Sequence, residues 1–215
     1  MACKIMKVGT HTLTLVTNKK DLPTQAYLEL IEGCVKAGVT CVQLREKSLN
    51  YKELLSFGRS LKELLDSKNI PLIINDHLDL CLDLDASGVH LGQGDGDPVK
   101  ARSMLGPDKI IGLTVNTMTQ VENSNALPID YIGLGAIFPT KNKPDIENIW
   151  GLEGLKKASL SAAHPIIAIG GIDHSNVLSV LNSGAEGVAA IAALHPPADP
   201  MLLAQQMRIY YGDKE

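Results

Sequence analysis

The chain of 215 residues is 45% hydrophobic and 20% charged, close to the average of folded soluble domains and long enough to bury roughly 70% of its unfolded surface without a metal or disulfide. A formal net charge of −4 and an aromatic content of 4% exclude an overall basic nucleic-acid binder and disfavour a base-stacking surface, while leaving room for a local positive pocket. No apolar run approaches the ~18 residues of a membrane span. Residues 1–7 lack the apolar core of a secretory signal, and Cys3, Cys34, Cys41 and Cys81 form no C-x-x-C pair. The expectation is a cytoplasmic protein with reduced thiols and no zinc site.

Short apolar runs alternate with helical patterns from end to end. Residues 13–16 make the first strand. Pro23 opens a helix with Tyr27, Ile31 and Cys34 at helical spacing, and Gly38 stops it. Strand 40–44 follows. Asn50, with Glu53 three residues on, is a capping box, behind which Leu54, Phe57, Leu61, Leu64 and Leu65 share one helix face. Strand 71–74 leads to a short helix over 78–84. Strand 88–91 leads to a helix that Asp97 caps and Pro98 opens, and strand 109–113 to a helix led by Thr117. After strand 130–134 a long polar stretch precedes a helix over 151–159. Strand 165–169 is paired with a helix over 175–181. Strand 185–190 is paired with a last helix that starts at Asp199-Pro200 and runs to Tyr210, leaving 211–215 as a frayed tail.

Eight β-α units in 215 residues predict a single α/β domain, a (β/α)8 TIM barrel with a parallel eight-stranded sheet near the lower size limit of that fold. A doubly wound open sheet is the alternative. It would carry a glycine fingerprint after the first strand, where Thr17-Asn18-Lys19-Lys20 stands instead.

A barrel gathers its chemistry at the C-terminal ends of its strands. Gln43, Arg45 and Lys47 alternate, so on an extended chain they share one face. Two cations on one face suit an oligophosphate; a solvated strand end is the plain alternative. Asp76 and Asp95 follow adjacent strands and could hold Mg²⁺, unless each only caps a helix. Asp97 already supplies the next cap, which leaves Asp95 for another role. Gly170-Gly171 after the seventh strand, with small residues after the eighth, occupies the usual phosphate position of this fold, where glycines let backbone N–H groups approach an anion. The polar stretch from 139 to 150 reads as a lid whose Lys141 and Lys143 close over an anionic ligand. Trp150, the only tryptophan, stands where that lid rejoins a helix and is expected to be its hinge, changing exposure on ligand binding. His90 and His174 read as structural. His11, His77, His164 and His195 show no ligand spacing, and no Ser-His-Asp or Cys-His set can be placed.

Six motifs in one order carry a family resemblance: Gln43-Leu-Arg-Glu-Lys47, Ile74-Asn-Asp76, Gly88-Val-His-Leu-Gly-Gln-Gly-Asp95, Gly133-Leu-Gly-Ala-Ile-Phe-Pro-Thr140, Lys143, and Ala168-Ile-Gly-Gly-Ile172. Together, from about Leu13 to Tyr210, the chain closely resembles the thiamine phosphate synthase family. The resemblance implies a (β/α)8 barrel and a transferase that joins 4-amino-2-methyl-5-pyrimidinylmethyl diphosphate to 4-methyl-5-(2-phosphooxyethyl)thiazole. It implies a dissociative route in which diphosphate leaves before the thiazole nitrogen attacks. Carried over position by position, Gln43, Leu44, Arg45, Glu46, Lys47, Asn75, Thr114 and Lys143 would hold the pyrimidine diphosphate, with Arg45, Lys47, Thr114 and Lys143 acting on the departing diphosphate. Asp76 and Asp95 would bind Mg²⁺. Thr140, Lys141, Asn142, Gly171, Ile191 and Ala192 would hold the thiazole phosphate. Thr114 and Ala192 stand where serine is common, Asn142 where threonine is, and Asn116 where histidine is. A related thiazole tautomerase on the same barrel is the rival; it lacks the metal aspartates and uses a histidine after the fifth strand, where this chain has Asn116. A non-enzymatic phosphate-ligand binder is the third reading. Expected partners are the two small-molecule substrates, with no nucleic acid and no membrane; a homo-oligomer is left open.

Overall fold

The computed structural model describes residues 12–141 and 148–212. Its strands are β1 (Thr12–Val16), β2 (Cys41–Leu44), β3 (Leu72–Asn75), β4 (Gly88–Leu91), β5 (Ile110–Val115), β6 (Tyr131–Gly135), β7 (Ile166–Ile169) and β8 (Gly187–Ala190). Each pairs in parallel with its sequence neighbour, and β1 pairs with β8, which closes the sheet into a barrel and excludes the doubly wound alternative. The helices between them are α1 (Thr24–Ala37), α2 (Tyr51–Asp66), α3 (Leu78–Asp83), α4 (Pro98–Leu105), α5 (Met118–Ser124), α6 (Gly151–Ser161), α7 (Val177–Asn182) and α8 (Pro200–Tyr211), with a 3-10 turn at Ala192–Leu194 before the last.

Local chemistry sets most helix starts. Asn50 accepts from Glu53 N–H while the Glu53 carboxylate accepts from Asn50 N–H, the reciprocal box expected at α2. Asp97 caps α4 by accepting from Val99 N–H, and Asp199 caps α8 by accepting from Met201 N–H. Pro71 and Pro165, expected as first strand residues, fall just outside β3 and β7. They accept ladder bonds from Val42 and Ile132, but without an N–H they cannot donate one. The helix expected from Ser175 begins two residues later. Asp173 Oδ1 takes both the Ser175 N–H and its hydroxyl, which ties that residue into the preceding turn. Of the tail expected to fray over 211–215, Tyr211 instead belongs to α8, with its hydroxyl donating to Glu186 O at 2.9 Å, and Gly212 closes the helix in the left-handed conformation; 213–215 lie outside the described residues.

The strands are buried on both faces, which is why they read as continuous apolar runs. Outside the barrel, Leu61, Leu65, Ile74, Val89, Ile132 and Val180 belong to a large core between sheet and helices. Inside, Val16, Cys41, Ile73, Ile110, Tyr131, Ile167 and Ala189 form a second cluster. At the N-terminal end of the barrel Arg102 binds the loops together: it donates to Pro128 O, Gly106 O and Lys109 O, and meets Asp130 at 2.6 Å. Cys34, Cys41 and Cys81 are buried free thiols. Among the described residues no helix is long and apolar enough to cross a membrane.

Candidate active site

A cavity of about 290 Å³ opens at the C-terminal ends of the strands. Strand alternation decides who faces it. Gln43, Arg45 and Lys47 line it. Leu44 and Glu46, one residue out of phase, do not: Leu44 packs in the outer core, and buried Glu46 accepts the Lys19 N–H at 2.9 Å, clamping the β1–α1 loop. The same loop receives the Arg45 N–H on Thr17 Oγ1 at 2.8 Å, so the β2 end is held from behind while its cations face inward.

Asn75 and Asp76 enter from the end of β3 and Asp95 from the loop after β4. Asp76 adopts a left-handed backbone, φ 65°, with its N–H donated to His90 O. Asp95 is free of helix capping, as expected, but not idle: its Oδ2 accepts the Gly92 N–H at 2.9 Å and so shapes its own loop. The two carboxyl groups touch. Desolvation first, then the hydrogen bond and charge of Asp95, push Asp76 up to about 6, against the opposing pull of Lys47 and His77. Two such carboxylates side by side suit a shared divalent cation. Among the described residues no three His, Cys, Asp or Glu side chains gather as a protein cage. A cation held by this pair alone would leave its remaining positions to water or to ligand oxygens.

The floor holds a feature the motifs did not announce. His90, expected as structural, lines the cavity, with Nδ1 2.8 Å from Tyr131 Oη and Nε2 2.8 Å from Thr114 Oγ1. Tyr131 is fully buried and its phenol is pushed well up by desolvation, while a hydrogen bond to Gln43 opposes this. The imidazole fits because the facing strands carry glycines. A Cβ on Gly112 would lie 2.2 Å from Tyr131 Cζ and 2.5 Å from His90 Nδ1, and one on Gly133 would lie 2.7 Å from His90 Cε1. Glycines inside two adjacent buried strands were the available signal, since they weaken a strand unless something must approach closely.

On the opposite wall stand Thr140, Gly170, Gly171, Ile191 and Ala192. Gly171 has φ 66°, and a Cβ there would meet Phe138 Cβ at 2.7 Å and Pro139 O at 2.8 Å. Glycine is thus required both by the backbone and by the loop after β6. Asn176 braces this turn by donating to Gly171 O at 2.9 Å. Lys141 is exposed and does not line the cavity; Asn142 and Lys143 lie outside the described residues. Trp150, expected as a hinge of changing exposure, is instead buried in the outer core. Its backbone N–H is donated to Ala136 O and its ring packs over Gly154, while the buried indole Nε1–H finds no partner among the described residues.

Residues 13–194 match the thiamine monophosphate synthase family. The chain belongs to that family. Its members act in thiamine biosynthesis as transferases. The chain is 53% identical over 203 residues to the thiamine-phosphate synthase of Chlamydia caviae, covering 94% of this chain and 96% of that one. It is 40% identical over 201 residues to the thiamine-phosphate synthase of Vibrio parahaemolyticus, covering 93% and 98%. Among solved structures, the thiamine phosphate pyrophosphorylase of Pyrococcus furiosus superposes with a TM-score of 0.81 at 29% identity, covering 94% and 96%. A 3-hexulose-6-phosphate synthase shares the fold alone, with a TM-score of 0.69 at 21% identity.

Proposed function

We propose that the cavity joins 4-amino-2-methyl-5-pyrimidinylmethyl diphosphate to 4-methyl-5-(2-phosphooxyethyl)thiazole, giving thiamine phosphate and diphosphate. The observation that carries this reading is one cavity whose two sides each offer groups suited to an anion. Arg45, Lys47 and Asn75 with the Asp76–Asp95 pair lie on one wall, and the Gly170-Gly171 turn with Ile191 and Ala192 on the other. Such a layout fits two phosphorylated substrates bound face to face, not one.

The reaction needs no nucleophilic side chain. The bond between the pyrimidine methylene carbon and the diphosphate oxygen breaks first, and its electron pair leaves with diphosphate. The lone pair of the thiazole nitrogen then forms the new carbon–nitrogen bond. Arg45 and Lys47, joined by Lys143 of the β6 loop, offset charge growing on the leaving group, an effect that is strongest where water is excluded. Thr114 and Asn75 orient the pyrimidine diphosphate, and Gln43 bonds to the buried Tyr131 of the floor. Bound between Asp76 and Asp95, Mg²⁺ would add Lewis-acid charge at the diphosphate oxygens. Thr140, Asn142 and the Gly171 and Ile191–Ala192 backbone fix the thiazole phosphate so that its nitrogen is in line.

Asn116 also lines the cavity. Its amide has no titratable proton to trade, which separates this site from a tautomerase that works through a histidine there. The deciding assay mixes both substrates with and without Mg²⁺ and measures thiamine phosphate and diphosphate together. Mg²⁺-dependent, equimolar formation of both products supports the reading. Isomerisation of a thiazole alone, or binding without turnover, defeats it.

A further inference from the structure

Tyr27, Ile31 and Cys34 lie on one buried face of α1, an apolar stripe by spacing. Two of the three reach out with polar atoms toward the end of β8. Cys34 Sγ donates to Leu194 O at 3.3 Å. Tyr27 Oη lies 2.7 Å from His195 Nε2, the rings stack with centroids 5.6 Å apart, and His195 Nδ1 lies 2.7 Å from Ile191 O.

The proton inventory gives this chain a direction. Asn18 N–H donates to Tyr27 Oη at 2.7 Å. Ile191 O can only accept, so His195 Nδ1 carries a ring proton; in the neutral ring Nε2 is then bare and takes the single phenol proton. A neutral imidazole with a bare Nε2 carries its proton on Nδ1 and donates it to the Ile191 carbonyl. Burial lowers the His195 pKa and favours that neutral form. Ile191 O also accepts Leu194 N–H at 3.0 Å, so both of its lone pairs are used and the Ile191–Ala192 peptide plane is pinned. In a trans peptide the Ala192 N–H points opposite to that carbonyl, away from His195. Ala192 brings no polar side chain, so at this stretch of cavity wall only backbone can meet an anion.

We infer that Tyr27 and His195 are positioning residues for the second substrate: they hold the Ile191–Ala192 peptide so that its N–H meets the phosphoryl group of the thiazole phosphate. This rests on the function proposed above and adds a role for two residues that do not line the cavity. His195→Ala should raise the KM for thiazole phosphate about 3–10-fold, the range expected when one buried hydrogen bond stops ordering a binding group. The KM for the pyrimidine diphosphate should stay within about twofold, because its zone lies on the other wall. His195→Asn, whose amide can still donate near Ile191 O, should recover most of the loss. Tyr27→Phe, which keeps the buried ring, should raise the same KM about 2–5-fold; these two near-isosteric variants carry the test if the alanine variant does not fold. Both KM values unchanged, or both rising together, reduces the pair to packing and overturns the inference. Failure of the parent protein to make thiamine phosphate overturns the function and this inference with it. Product from the parent with an unmoved thiazole KM in the variants overturns this inference alone.

Discussion

Gly133→Ala tests whether the His90 imidazole is held in the barrel as the structure has it, because two physical effects predict opposite signs. Gly133 lies in β6 with no positive φ. Its replacement by alanine would ordinarily stabilise the fold by about 0.4–1 kcal/mol through lost freedom in the unfolded chain. Here the new methyl would stand 2.7 Å from His90 Cε1 and 3.2 Å from Nε2. Ordinary carbon contacts are about 3.6 Å, so the ring must move by about 0.9 Å. It has little room to do so, being buried and bonded at 2.8 Å to both Tyr131 and Thr114. A shift of that size stretches one of these bonds beyond hydrogen-bonding range. Overpacking costs about 1–3 kcal/mol and the lost buried bond about 1 kcal/mol more, which outweighs the entropic gain. The net expectation is a loss of about 2–3 kcal/mol, or roughly 4–7 °C in Tm for a chain of this size. Thermal and urea melts of Gly133→Ala, His90→Ala and the double variant measure it. In the His90→Ala background the penalty should vanish and the small stabilisation return. A single variant that melts at or above the parent, or strict additivity in the cycle, would refute the packing argument.

Asp95→Asn should fold normally, since an amide oxygen can still accept the Gly92 N–H, yet lose about 10²-fold in turnover at sub-millimolar Mg²⁺; parent-like rates there would remove Asp95 as a ligand. Lys143→Ala should lower kcat by roughly 10²–10³-fold if the lysine acts as charge develops on diphosphate, whereas a raised KM with constant kcat would demote it to ground-state binding. Arg102→Met strands three carbonyls and Asp130 at the N-terminal end of the barrel and should cost about 2–3 kcal/mol in urea unfolding, with activity per folded molecule unchanged; an altered KM would show that this end is coupled to the site. Trp150, anchored in the outer core, should emit as a buried indole and hold its spectrum when Mg²⁺ and diphosphate are added; a ligand-dependent shift would restore the hinge.

The strand–helix rhythm was legible because each element is coded locally. Asn50 with Glu53, Asp97 before Pro98, and Asp199 before Pro200 satisfy helix ends within a few residues, and apolar runs mark strands buried on both faces. The alternation of Gln43, Arg45 and Lys47 was legible for the same reason, since side chains along a strand switch faces with a period of two. The motifs also named both walls of the cavity. What they could not decide is which groups meet across the barrel. Alternation already turns Glu46 outward, but that its carboxylate there holds the Lys19 N–H depends on the β1–α1 loop lying behind β2. His90 looked like one more strand residue until β5 and β6 brought Gly112, Tyr131 and Gly133 around its ring. Tyr27 looked like one more apolar position on α1, and His195 lies 168 residues away from it. They touch because pairing of β1 with β8 returns the end of the chain to its beginning. Periodicity reports only which face of an element is buried. The partner on that face, and the direction of a proton between the two, depends on contacts that exist only once the barrel has closed.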